Sequence, residues 1–431
     1  MKSYLTRTMA LAGTAMLFFS VASADDPIDQ RLKAVEKKLQ QQQQVIDSQR
    51  NEIRELRAEL DKGKAQQTMT RDEVKAVIKE ASVGGSLPSW LDGLKIKGDF
   101  RLRYESIDND TGNDTSRVRY RSRVGIQKKW DSGLETGIRL ASATSGSGSP
   151  LTSTNSTLGG SFDNDAISID RAYLAYTPEV AEWLWVTGGR FANPMVKTGI
   201  LFDSDLNLDG LAEKASYAFT EDFELSLLAG QFILNQGGSG TNDTVLWAFQ
   251  VDANAALTDL VSGELAIGYY NLQSPGASIA ARTNTDTNSD GNPDFQFRIV
   301  DIVNKYKLEV AEMPLAIWIN YVVNTANDLP AQKMNEDSAW GVGAMLGKLK
   351  EKGSWRAGIN YKHIEQDAVS AAMNDQDFRR TNRKGIELIG GYQILDNLSL
   401  NLELQFTDKI EESLNGDVER ILAQFDIIIK F

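Results

Sequence analysis

Cysteine is absent from the 431 residues, and histidine occurs once, at His363. The first absence removes disulfides, thiolate metal sites and cysteine nucleophiles together. The second leaves little room for a histidine-ligated metal or a histidine-based catalytic set. Proline is scarce, at 9 residues, and glycine abundant, at 35. Cations are outnumbered, with 46 Lys and Arg against 59 Asp and Glu and a formal net charge of -13. That balance argues against a nucleic-acid binder relying on a broad basic surface. Beyond the first two dozen residues no stretch is long and apolar enough for a bilayer-spanning helix, which excludes a polytopic helical membrane protein. Together these absences favour a structural or transport protein over an enzyme.

What is present begins with an address. Lys2 and Arg7 precede an apolar run from Met9 to Val21, and Ala22, Ser23 and Ala24 supply small residues for cleavage. This is the layout of a secretory signal peptide over residues 1–24, with the mature chain expected to start near Asp25.

Residues 25–62 carry a heptad pattern. Leu32, Leu39, Ile46, Ile53 and Leu60 occupy one core position, and Ile28, Val35, Gln42, Gln49 and Leu56 the other. A 3.5-residue repeat buries a narrow seam and drives helices to supercoil. The alternative is a single amphipathic helix lying on its own domain. Residues 63–93 follow as a short helix, with Thr70 and Glu73 placed as a capping box, and a linker through Gly84, Gly85 and Pro88.

From residue 94 to 431 the period is two. Phe100, Leu102 and Tyr104 alternate with Arg101, Arg103 and Glu105, and Val118, Tyr120 and Val124 with Arg117, Arg119, Arg121 and Arg123. Near the end Leu398, Leu400, Leu402 and Leu404 alternate with Ser399, Asn401 and Glu403. Such alternation means strands with one apolar and one polar face. Short turns near residues 131–133, 178–182, 220–222, 255–262, 311–313, 350–353 and 395–397 alternate with longer polar loops. Short connections alternating with long ones mark an outer-membrane barrel. The expected fold is therefore all-β, a transmembrane antiparallel β-barrel of about sixteen strands preceded by an N-terminal α-helical coiled coil. Strands near residues 167–177 and 297–310 keep poor phase, which suggests bulges.

These segments resemble a family. The run from Gly98 to Glu105 and the arginine-alternating strand after it are similar to the opening hairpin of bacterial "putative porin" outer-membrane proteins. Asp170 to Tyr176, Gly188 to Pro194 and Phe202 to Gly210 fit the same family. The terminal Phe431 resembles the end signal that outer-membrane barrels present for assembly. The resemblance implies a passive channel and a homotrimer, and it names no solute.

On parity, Arg101, Arg103, Arg117, Arg119, Arg121, Arg123 and Arg139 face the lumen. A row of guanidiniums in a water-filled lumen favours anions over cations. Equally, the arginines can pair with carboxylates such as Asp99 and Glu105 and stiffen the wall without selecting anything. The loop over residues 192–209 carries Lys197, Asp203, Asp205 and Asp209 among apolar Met195, Ile200, Leu201 and Phe202. So apolar a loop packs against something, either inside the barrel as a constriction with Asp203 and Asp205 facing the arginines or between subunits.

Asp286, Asn288, Asp290 and Asp294 follow the start of a calcium loop, but Phe297 stands where the closing acid belongs. A structural calcium there competes with an ordinary flexible loop as the explanation; otherwise no cofactor is expected. Lone His363 lies on an outward strand face, where a contact role is expected. The sequence thus points to an outer-membrane diffusion channel for small hydrophilic solutes or ions. The alternative is a structural barrel whose coiled coil tethers a periplasmic or cell-wall partner. A barrel enzyme acting on lipid has no catalytic set to support it.

Overall fold

The computed structural model describes residues 91–112, 114–143, 153–159, 164–236, 243–273, 283–285, 295–327, 336–411 and 418–431. The signal segment, the heptad region and the calcium-like run at Asp286, Asn288, Asp290 and Asp294 lie outside the described residues.

The first half of the sheet comprises β1 (Leu94–Asn109), β2 (Thr115–Lys129), β3 (Leu134–Ala143), β4 (Ser156–Thr157), β5 (Ala166–Tyr176), β6 (Leu184–Ala192), β7 (Asn207–Thr220), β8 (Phe223–Asn235) and β9 (Thr244–Thr258). The second half comprises β10 (Val261–Gln273), β11 (Phe297–Val310), β12 (Met313–Asn324), β13 (Ser338–Gly347), β14 (Trp355–Ile364), β15 (Arg383–Leu395), β16 (Leu398–Lys409) and β17 (Glu419–Lys430). Two-residue β4 only adds a short pairing on β2, at Tyr120 and Arg119. The other sixteen strands are antiparallel to their sequential neighbours, and β1 pairs with both β2 and β17, so the sheet closes on itself. Closure leaves no unpaired edge. The expected barrel of about sixteen strands is therefore observed.

Alternation builds the wall. On β1 the outward Phe100, Leu102 and Tyr104 are 41%, 36% and 50% exposed, whereas inward Arg101, Arg103 and Glu105 are 8%, 5% and 1% exposed. The outer surface carries an apolar belt that includes Ile138, Leu174, Leu227, Ile319, Leu388 and Phe425. An apolar exterior around a polar-lined interior is the pattern of a barrel that crosses a bilayer. Among the described residues no helix is long and apolar enough to cross a membrane.

Closure is sealed at the last residue. Gly98 and Phe431 exchange two backbone hydrogen bonds of 2.9 and 3.0 Å. A Cβ on Gly98 would stand 2.3 Å from the Phe431 ring, so glycine is what lets the terminal aromatic lie against β1.

Of the two strands expected to hold bulges, one does. In the β3–β5 pair the register slips between Arg139 and Leu140, opposite Arg171 and Ile169, which leaves Asp170 unopposed. The extra residue turns Asp170 and Arg171 both inward. In β11 the pairing runs without interruption on both sides, so its loss of phase has another origin. Its inward face is apolar at Phe297 and Ile299, polar at Asp301 and apolar again at Val303, because it packs on folded-in loops.

Two long connections, residues 193–206 and 365–382, fold back into the barrel. Residues 193–206 bring Met195, Ile200, Leu201, Phe202 and Leu206 into a core with Phe191, Leu208, Phe232, Leu246 and Tyr270 from the inner wall. Residues 365–382 add Ala368, Val369, Met373 and Phe378 to the same cluster. Burial of that apolar surface is the main force holding both loops inside.

Candidate pore wall and constriction

The arginine ladder sits where β17, β1 and β2 run side by side. Cross-strand register sets Arg101 opposite Arg121 and Arg103 opposite Arg119, so four guanidiniums crowd one patch of inner wall. Like charges so placed repel, and carboxylates are interleaved with them. Arg121 donates to Asp99 at 2.9 and 3.1 Å, and Arg123 reaches the other oxygen of Asp99 at 2.7 Å. Arg117 donates to Glu105 at 2.6 Å, with Arg119 3.6 Å from the same carboxylate. Arg103 clamps Asp426 with two hydrogen bonds of 2.7 and 2.8 Å. Arg101 donates to Asn155 and lies 3.7 Å from Asp426. Arg139 is paired with bulged Asp170. Each of the seven guanidiniums therefore has an acidic neighbour, and the ladder is a braced network.

The first inward loop is anchored at several points. The Gln250 side chain imitates a strand, accepting from Val196 N–H and donating to Val196 C=O, both at 2.8 Å. Thr198 donates to Asn320 across the lumen. Phe202 meets Tyr270 edge-on at 5.2 Å between centroids. Asp205 points at the ladder, 3.4 Å from Arg123 and 3.6 Å from Arg121. Asp203 turns the other way and accepts from the backbone of Asp205 and Gln376. Burial, with the nearby charge of Asp375 adding to it, pushes the Asp203 carboxyl up to about 7. Burial also lowers the Lys197 ammonium to about 8, helped by the charge of Arg171.

Asp209 departs from its expected place in this loop. It is the third residue of β7, it follows the fully buried Leu208, and its carboxylate takes Arg190 at 2.7 Å on the outer face. Strand parity, not loop conformation, decides its side, so it does not belong to the constriction.

The second inward loop was not singled out by sequence, although its small apolar run from Ala368 to Met373 is a signal of packing. Asp203 N–H donates to Met373 C=O at 2.8 Å, which joins the two loops across the lumen. Asn284 ties down three backbone groups of the second loop, at Gln366, Val369 and Ala371. Buried Lys362 on β14 bonds Asp375 at 2.9 Å, lies 3.4 Å from Glu387, and covers the Phe378 ring at 4.8 Å. At the loop tip, Arg103 reaches the Asp377 carboxylate at 3.2 Å and Arg420 donates to its backbone carbonyl at 2.8 Å. Further luminal groups outside the expected set are Arg171, held by Asn207 at 2.8 Å, and Lys305, 3.2 Å from Glu264.

His363 stacks on Trp340 at 5.9 Å and lies 3.8 Å from Glu365. Among the described residues no group of three acidic or histidine side chains is placed to hold a metal.

A closed barrel with charged walls and inward loops now has a counterpart among known families. The model of the family described as "Putative porin" matches residues 107–296 and 294–431. The chain belongs to that family. Among solved structures, Pseudomonas putida OprB at high pH is similar, with 16% identity, a TM-score of 0.51, and coverage of 81% of this chain and 97% of OprB. OprB at low pH gives 15%, 0.46, 81% and 97%. A triple mutant of the Rhodopseudomonas blastica porin gives 12%, 0.42, 78% and 100%. At such identities the likeness to OprB is one of fold. No protein with a curated description matches the sequence. Family and fold together make this porin a channel-type barrel.

Proposed function

We propose that this porin lets small hydrophilic solutes and ions diffuse passively across a bacterial outer membrane, with a preference for anions. The observation that carries the preference is an imbalance in the wall. Nine guanidiniums (Arg101, Arg103, Arg117, Arg119, Arg121, Arg123, Arg139, Arg171 and Arg420) share eight carboxylates: Asp99, Glu105, Asp170, Asp205, Asp375, Asp377, Glu403 and Asp426. A surplus of fixed positive charge at a narrow point lowers the energy of an anion there. Loops 193–206 and 365–382 form the constriction that sets solute size, with Lys197, Asp203, Asp205, Asp375 and Asp377 among its charged groups.

The working unit in this reading is a homotrimer. Arg190, Asp209, Glu213 and Gln231 point outward from β6, β7 and β8, where lipid offers no partner for them. The inner face of the same strands is apolar at Phe191, Leu208, Leu228 and Phe232. A polar outside over an apolar inside suits a contact between copies better than a contact with lipid. Residues 25–62 then extend into the periplasm as a coiled coil, within reach of the cell wall.

Swelling of liposomes loaded with the folded protein in iso-osmotic sugar tests the channel. Swelling that slows as the sugar grows is expected. Absence of swelling with protein shown to be inserted favours the tether reading instead.

A further inference from the structure

The tip of the second inward loop puts one carboxylate among four guanidiniums. Asp377 reaches Arg103 at 3.2 Å through its side chain and Arg420 at 2.8 Å through its backbone carbonyl. Burial alone would raise the Asp377 carboxyl, yet the charge of Arg103, a hydrogen bond from Gln424 and the charges of Arg101 and Arg119 hold it below the ordinary carboxylate range. These arginines come from β17, β1 and β2, three neighbouring strands.

Their bonding is incomplete. The Nε atoms of Arg101, Arg119 and Arg420 are buried with no hydrogen-bond partner among the described residues. The nearest other carboxylates of Arg101 and Arg119, Asp426 and Glu105, are already held through hydrogen bonds by Arg103 and Arg117. Asp377 is the member of the group that faces open space, with its side chain 39% exposed against 6% for Arg103. Beyond it, Arg379, Arg380 and Asn382 all have positive φ, of 69°, 74° and 55°. Such conformations cost energy in residues other than glycine.

Resting on the channel reading above, we propose that Arg101, Arg103, Arg119 and Arg420 form a carboxylate-binding site in the lumen wall, with Asp377 as its tethered occupant. A solute carboxylate binds by displacing Asp377, taking its bond to Arg103 and reaching the free Nε donors. Arginine forks suit a planar carboxylate through paired hydrogen bonds. A tethered group competes at high effective concentration, so the native site takes free carboxylates weakly.

The test is calorimetric titration of succinate into the detergent-folded, full-length protein, with Asp377→Asn beside the native chain. If the tether occupies the site nine-tenths of the time, its removal tightens succinate binding about tenfold. Adding Arg119→Gln to Asp377→Asn should cancel the gain. Asp377→Ser serves as the second variant should the Asn form fail to fold. Equal affinity in native and variant protein, or a gain that survives Arg119→Gln, overturns the site. An equal gain with inorganic phosphate overturns the carboxylate assignment. Binding is read without current, so a non-conducting protein that still shows the gain sinks the channel reading and keeps this one.

Discussion

Arg103 and Asp426 are 323 residues apart in sequence and joined by two hydrogen bonds of 2.7 and 2.8 Å across the seam where β17 meets β1. The bidentate pair fixes the register of the closing strand as well as adding attraction. Both side chains are buried, at 6% and 9% exposure. Removing either partner leaves the other with one weaker ion contact, Arg103 with Asp377 at 3.2 Å or Asp426 with Arg101 at 3.7 Å.

Arg103→Ala and Asp426→Ala should therefore each destabilise the barrel by about 1.5–3 kcal/mol. The double substitution should cost less than the sum, because each single substitution already loses the same bidentate pair. Urea unfolding followed by tryptophan fluorescence measures all three. Strict additivity would show that the pair does not act as a unit.

Selectivity should depend on pH through the first loop. Raising pH through about 7 charges Asp203, and through about 8 discharges Lys197. The first step adds a negative charge to the constriction and the second removes a positive one, so anion preference should fall from pH 6 to pH 9. Reversal potentials in a salt gradient report the change. Asp203→Asn should flatten the lower step and leave the upper one; a profile identical to that of the native protein would contradict this.

Arg119→Ser with Arg121→Ser is a clean removal of charge. Glu105 keeps Arg117 and Asp99 keeps Arg123, so neither carboxylate is orphaned. The anion-to-cation permeability ratio should drop about twofold or more, with little loss of stability. An unchanged ratio would place both arginines among the braces of the wall.

Gly98→Val should impair barrel closure, since its side chain would collide with the Phe431 ring and with the Arg123 carbonyl. The expected result is slower folding into lipid vesicles, followed as the heat-sensitive mobility shift of folded barrels on gels. Folding at the native rate would mean that the terminal ring has room to move aside.

Period-two alternation made the strands legible from sequence, and with them the inward side of Arg101 to Arg123, because parity follows directly from the pleat. Asp99 and Glu105 could be named as counter-charges because they are neighbours in the opening hairpin. Asp426, Asp377 and Arg420 could not, since only closure and an inward loop bring them to β1. Asp209 lies outside the constriction for a local reason: β7 begins at Asn207, two residues before it, and a strand boundary decides which way a side chain points. The β5 bulge at Asp170 showed as lost phase, whereas in β11 the same symptom came from an inner face packed on loops.

The most direct test of the account is conductance of the purified, folded protein in a planar bilayer under a potassium chloride gradient. A trimeric, anion-preferring pore should open in steps grouped in threes, with a reversal potential of the sign of chloride preference. A folded, inserted barrel that passes no current, or one that prefers potassium throughout, would contradict it.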